Sequence, residues 1–207
     1  MDIAILGAGN VGLALGTALA RAGHRISFGV RNPGASKHAA AQAIGALASN
    51  ADAVRNAETV LVALPWSAAE AVLGPLGVLL DGKLVIDATN PLAADLSGLA
   101  IGDDDSAGER LQRLLPNARV VKAFNTTGAA NMASPAYPDG RATMLVAGDD
   151  AAAVETVLRL AADVGFEALA AGPLPVARQL EQLALLWIRL AYQAGFGPGI
   201  AFRLMRR

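Results

Sequence analysis

Short apolar runs rich in valine, isoleucine and leucine recur along the chain, separated by stretches with apolar residues at helical spacing. They predict strands at Ile3–Leu6, Arg25–Gly29, Gly45–Ala48 (the weakest), Thr59–Leu64, Leu84–Ala88, Arg119–Phe124, Thr143–Ala147 and Phe166–Ala170. Strands that alternate with helices point to an α/β fold, doubly wound around a mostly parallel sheet. The first helix is expected over Val11–Gly23. Ser106-x-x-Glu109 is a capping box that starts another helix at Ala107, running to about Leu115. From Leu174 to Ala194 the pattern changes to one long helix. Leu180, Leu183, Ala184, Trp187, Leu190 and Ala191 form its apolar face, and Leu185, Leu186, Ile188 and Tyr192 widen it. A helix apolar on most sides needs cover from more than its own sheet, so a homodimer interface or a cover over a planar ligand is expected here.

Between the first strand and the first helix lies Gly7-Ala8-Gly9-Asn10-Val11-Gly12. In this strand–turn–helix context GxGxxG is a dinucleotide fingerprint. The first glycine permits the tight turn, the second lets backbone approach a pyrophosphate, and the third lets helix and strand pack closely. The helix N-terminus adds free N–H groups and the positive end of its dipole. An NAD site then needs a carboxylate at the end of the second strand. This chain reads Phe28-Gly29-Val30-Arg31-Asn32 there, followed by Lys37. A guanidinium holds a phosphate bidentately where a carboxylate would repel it. Arg31 is therefore the expected 2′-phosphate clamp, with Asn32 and Lys37 in support, and the cofactor is expected to be NADP(H). The Rossmann-type domain is expected to span residues 1–172, leaving 173–207 as a C-terminal helix and tail.

Composition narrows the chemistry. Of the 207 residues, 54% are hydrophobic and only 4% aromatic, which favours close alanine-mediated packing of helices on the sheet. The net charge of -1 gives no reason to expect nucleic acid or an anionic membrane as partner. With no cysteine, disulfides, thiol nucleophiles and cysteine-ligated clusters are excluded. His24 and His38 have no neighbouring ligand set, and Asp103-Asp104-Asp105 reads as a solvated loop, so no metal site is expected. The sequence enters a strand directly, without a basic leader, so a cytoplasmic location is expected.

In a doubly wound sheet, ligands lie beyond the carboxyl ends of the strands. That rule selects Gly7–Gly12, Leu64-Pro65-Trp66, Thr89-Asn90-Pro91-Leu92 and Phe124-Asn125-Thr126-Thr127. Trp66 either packs along the cofactor or covers the sheet end. Asn90 and Asn125 offer amide donors where a nicotinamide would meet its redox partner. Lys122 is a charge inside a strand. It is an edge residue, a support behind the site, or a donor to the ligand, and with Asn125 it is a possible orienting group.

These residues, with Gly23-His24, Val120-Val-Lys-Ala-Phe-Asn-Thr126, Ala147-Gly-Asp-Asp150, Ala171-Gly-Pro-Leu174 and Ala177-Arg178-x-x-Glu181, run nearly the full length of the chain. Together they resemble the NADP oxidoreductases that use the deazaflavin coenzyme F420 and the reductase domains of the STEAP-type metalloreductases. The resemblance implies NADP(H) across the Gly7–Gly12 turn, with its 2′-phosphate at Arg31, Asn32 and Lys37. It also implies a flat acceptor, F420 or FMN/FAD, stacked at Pro65-Trp66, Asn90-Pro91 and Phe124-Asn125-Thr126. The implied reaction is hydride transfer between two rings, which needs no catalytic side chain of its own. Where deazaflavin reductases often carry histidine, this chain has Asn125, which leaves both acceptors open. Two other functions fit the nucleotide motif. One is an NADP-dependent dehydrogenase of a small carbonyl or imine, with Lys122, Tyr137 or Tyr192 as proton donor. The other is a non-catalytic NADP(H)-binding sensor.

Overall fold

Along the first strand, β1 (Asp2–Leu6), Ile3 and Ile5 enter one core while Ala4 and Leu6 enter another. A strand buried on both faces is what a parallel sheet between two helical layers requires. The computed structural model describes residues 1–207 and carries this pattern throughout. The further strands are β2 (Arg25–Gly29), β3 (Ala46–Ala48), β4 (Thr59–Val62), β5 (Leu84–Asp87), β6 (Arg119–Lys122), a small hairpin of β7 (Ala136–Tyr137) and β8 (Gly140–Arg141), β9 (Thr143–Gly148) and β10 (Glu167–Gly172). The helices are α1 (Asn10–Arg21), α2 (Ala39–Gln42), α3 (Asn50–Arg55), α4 (Trp66–Leu73), α5 (Gly77–Leu80), α6 (Ala107–Leu114), α7 (Ala129–Ala133), α8 (Ala151–Val164) and α9 (Ala177–Ile188).

The eight-stranded sheet has the order β10-β9-β6-β5-β4-β1-β2-β3. From β3 to β6 it is the parallel Rossmann arrangement, and the order reverses beside β1, at the switch point where ligands bind. One core packs Leu15 and Leu19 of α1, Met132 of α7 and Val157 and Leu160 of α8 against the sheet. The other packs Val54 of α3, Leu73 of α4, Leu80 of α5 and Leu111 of α6.

The sheet departs from wholly parallel pairing in one place. β9 runs antiparallel to β6, because the hairpin β7–β8 turns the chain back before it enters the sheet. That hairpin is too short to carry an alternating signal and was not expected. Three strands stop sooner than their apolar runs suggest. β4 ends at Val62, β5 at Asp87 and β6 at Lys122, so Leu64, Ala88 and Phe124 belong to the loops beyond. Phe124 takes a left-handed backbone conformation (φ 61°), which ends β6 outright. The C-terminal helix is also composite: a 3₁₀ turn at Leu174–Val176, then α9, then a π turn over Arg189–Gln193. After it, the tail returns across the hairpin. Ile200 O accepts from Trp187 Nε1 and Asn131 Nδ2, both at 2.7 Å, and Phe202 O accepts from Thr143 N at 2.9 Å.

Candidate active site

The glycine turn is built as its spacing demands. Gly7 has φ 104°, and a Cβ there would lie 2.5 Å from Ala63 O. A Cβ on Gly12 would lie 2.2 Å from Gly7 O, so only glycine lets α1 start this close to the strand end. Gly9 is different, since a Cβ there would meet nothing within 4 Å. That side of the turn faces open space, where a bulky group can approach the backbone. Gly9 is also the N-cap of α1 and provides no side-chain cap, so the first-turn N–H groups stay available to an anion.

A cleft of about 330 Å³ opens beside this turn, lined by Gly9, Asn10, Val11, Ala63, Leu64, Pro65, Trp66, Ala88, Thr89, Asn90 and Leu92. Three of the four strand-end segments thus converge on one opening. Leu64, Pro65 and the half-buried Trp66 form its apolar wall. Gly7, Ala8 and Gly12 support the turn from behind. Arg31, Asn32 and Lys37 lie outside the cleft lining, beyond the end of β2 on the other side of β1. All three are exposed, and no carboxylate engages Arg31 or Lys37.

The fourth segment behaves differently from its expected stacking role. The Phe124 ring is fully buried, with its centroid 6.3 Å from that of Phe166, and its backbone N–H points to Met144 Sδ at 3.0 Å. It offers no face to a ligand. Thr126 lines a separate cavity with Thr143, Leu183 and Phe202. Asn125 meets the cleft through Asn90: its Nδ2 donates to Asn90 Oδ1 at 3.0 Å and to Leu180 O at 3.1 Å. Asn90 Nδ2 donates back to Asn125 O at 2.9 Å. Pro91 is buried, and its carbonyl accepts from Ala100 N. Of the proton-donor candidates, Tyr137 donates to Asn131 Oδ1 beside the hairpin, and Tyr192 is exposed against Trp187. Neither lines the cleft.

Lys122 is neither at a sheet edge nor in contact with the cleft. β6 lies between β5 and β9, and the side chain is fully buried. Its Nζ donates to Asp87 Oδ2 at 2.9 Å and to Thr89 O at 2.7 Å, and lies 2.7 Å from Glu181 Oε1. Glu181 in turn accepts from Ala107 N at 3.1 Å and Gly108 N at 3.4 Å, at the start of α6. Asp87 Oδ1 accepts from Thr89 N at 2.9 Å. Burial alone would push Lys122 down. The Asp87 and Glu181 charges overcome it, and its ammonium is held above the ordinary lysine value. Burial raises the Glu181 carboxyl above the usual carboxylate range, although Lys122 opposes it. Sequence reasoning missed Asp87 altogether and took Glu181 only as part of the Ala177-Arg178-x-x-Glu181 motif, with no role assigned. The available signal was a glutamate falling on the apolar stripe of α9, between Leu180 and Ala184.

Half of the capping box forms as its spacing predicts: Glu109 N donates to Ser106 Oγ, but the Ser106 N–H donates to Asp105 Oδ1 at 2.9 Å and Glu109 Oε2 accepts instead from the Ser106 hydroxyl at 2.7 Å. Arg178 of α9 then grips Glu109 with two bonds, at 2.6 and 2.8 Å. In the aspartate run, Asp105 pairs with Arg110 and Arg113, and Asp103 accepts from Gln182. No set of three or more histidine, cysteine or acidic side chains is grouped to hold a metal ion. No helix is long and apolar enough to cross a membrane.

Residues 2–91 match the family model described as NADP oxidoreductase, coenzyme F420-dependent. The F420-dependent NADP reductase of Methanothermobacter marburgensis is 33% identical, over 92% of this chain and 92% of its own length. The metalloreductase STEAP3 of Rattus norvegicus is 32% identical over 88% of this chain, which corresponds to 36% of that longer protein. Among solved structures, a putative F420-dependent NADP-reductase from Arthrobacter sp. FB24 superposes with a TM-score of 0.90 at 34% identity, covering all of both chains.

Proposed function

The chain belongs to the coenzyme F420-dependent NADP oxidoreductase family, and from that premise we propose how its residues serve the reaction. The protein is an oxidoreductase that moves a hydride between NADPH and coenzyme F420. The two cofactors supply the redox chemistry, and the chain supplies proximity and orientation.

The first-turn N–H groups of α1 hold the pyrophosphate over Gly9, where a Cβ would meet nothing. Arg31, aided by Asn32 and Lys37, neutralises the 2′-phosphate on the β2 side of the turn. Leu64, Pro65 and Trp66 exclude water along the apolar wall and keep the two rings in register. Asn90 presents the polar end of the cleft, and Asn125 braces it from behind through their mutual bonds. Lys122 orients rather than contacts: it fixes the carbonyl of Thr89 and, through Asp87 and Glu181, ties the β5 loop to α6 and α9. What supports this reading above all is the convergence of the α1, β4 and β5 loops on one cleft.

The test is anaerobic mixing of the purified protein with NADPH and F420, following bleaching of the visible band of oxidised F420. Turnover is expected. Its absence, or faster turnover with FMN or FAD, would move the acceptor assignment away from F420. A homodimer is part of the same reading, supported by the exposure of Leu186, Tyr192 and Phe196 where α9 gives way to the tail. Light scattering should return twice the monomer mass, and Leu186→Glu should halve it. A cytoplasmic location completes the proposal, checked by fractionation of the source cells.

A further inference from the structure

Thr89 follows β5 and is held by its backbone on both sides. Its N–H donates to Asp87 Oδ1 at 2.9 Å, and its carbonyl accepts from Lys122 Nζ at 2.7 Å. Thr89 is one of the residues lining the cleft and is only 2% exposed, and its buried Oγ1 has no hydrogen-bond partner in the chain. Buried hydroxyls normally find partners, because leaving one unmade forfeits its hydration without return. Both backbone groups of Thr89 and the N–H of Ala88 are engaged, so the orphaned oxygen sits on a fixed stretch of backbone.

The sheet order says which part of a bound dinucleotide this oxygen would meet. β1 is flanked by β2 on one side and by β4 on the other, with β5 next beyond β4. With adjacent strands about 4.8 Å apart, the end of β5 lies roughly 10 Å from the glycine turn. It lies on the side away from Arg31. A dinucleotide whose phosphorylated adenosine sits over β2 and whose pyrophosphate crosses the turn therefore extends its other half toward β5. Resting on the NADP(H) reading above, we propose that the Thr89 hydroxyl hydrogen-bonds the nicotinamide riboside half of the cofactor, through the carboxamide or the ribose. The Lys122–Asp87 pair holds the residue in position for that contact. The ligand supplies the partner that the protein withholds.

The experiment compares Thr89→Val and Thr89→Ser with the wild type by titration calorimetry and thermal melting. Valine keeps the shape and branching and removes only the oxygen. One ordinary hydrogen bond corresponds to about fivefold to tenfold in affinity. Thr89→Val should weaken NADP⁺ by about that factor, while Thr89→Ser stays within about twofold of the wild type. Binding of 2′,5′-ADP, which lacks the nicotinamide half, should not change. Losing the effect with 2′-phospho-ADP-ribose, which keeps the ribose, assigns the contact to the carboxamide; keeping it assigns the ribose. The ligand-free melting point of Thr89→Val should equal or exceed that of the wild type, because a partnerless buried oxygen has been removed. Unchanged NADP⁺ binding overturns the inference, as does equal weakening of 2′,5′-ADP or a lowered melting point. Wild-type protein that ignores NADP⁺ would instead overturn the cofactor reading, and this inference with it.

Discussion

Replacing Lys122 with methionine removes the one cation between two fully buried carboxylates. Asp87 and Glu181 are 0% and 1% exposed, and neither side chain can reach water without unpacking β5, β6 or α9. Breaking a buried ion pair by deleting one partner costs about 3–5 kcal/mol, because the remaining charge is stranded. At about 2.1 cal/mol/K per residue, the 207-residue chain unfolds with an entropy near 0.43 kcal/mol/K, so a loss of about 4 kcal/mol lowers the melting point by roughly 9 °C. The effect should depend on pH. Burial already raises the Glu181 carboxyl above its ordinary value of 4.5; in Lys122→Met the ammonium that opposed it is gone, the Asp87 charge still adds to it, and only the backbone N–H bonds from the start of α6 still work against it. A raised carboxyl favours the folded state when protonated. The missing stability should thus be recovered as pH falls through the raised value toward 4.5, and lost as pH rises through it. Urea unfolding at pH 8 and pH 5 measures both quantities, with the larger penalty expected at pH 8. Lys122→Met combined with Glu181→Leu should recover part of it, since only one carboxylate then remains. A penalty below about 1 kcal/mol, or one equal at the two pH values, would refute the account of this cluster.

Two further predictions concern the nucleotide end. Gly9 has φ -86° and open space at its Cβ position, so Gly9→Ala should leave the melting point within about 2 °C while weakening NADPH by about tenfold or more. Gly12→Ala should instead cost about 1–3 kcal/mol by urea unfolding, because its Cβ would meet the Gly7 carbonyl; similar outcomes for the two would refute the division of labour. Arg31→Ala should weaken NADPH by about tenfold to a hundredfold, the worth of a charge-assisted phosphate contact, and leave NADH within about twofold. Equal losses for the two nucleotides by fluorescence titration would remove Arg31 from the 2′-phosphate.

Legibility followed the range of the interaction. The glycine turn and the Ser106 N-cap of α6 are local, and local spacing announced them. Convergence of Pro65, Trp66 and Asn90 on one cleft followed from strand ends in a parallel sheet, a rule that needs only the order of elements. The triad of Asp87, Lys122 and Glu181 was out of reach, because its members are 35 and 59 positions apart along the chain and meet only after β5, β6 and α9 have packed. Phe124 illustrates the opposite failure: the family resemblance implied a stacked acceptor at this strand end, but a left-handed backbone turned the ring into the core. The apolar run over 119–124 carried no sign of that turn. The hairpin at 136–141 and the antiparallel entry of β9 were likewise silent, since two-residue strands leave no periodicity.

The return of the tail has a consequence for how the molecule is made. The carbonyls of Ile200 and Phe202 satisfy donors on Trp187, Asn131 and Thr143, so the hairpin and the start of β9 are not closed until the last few residues are free to lie down. During synthesis those residues emerge after every strand and helix they close over. The amino-terminal half can organise early, but the far side of the sheet stays open until residues 200–202 emerge, and nascent chains stalled near Gly199 should be cut by protease around the 136–141 hairpin while longer chains resist.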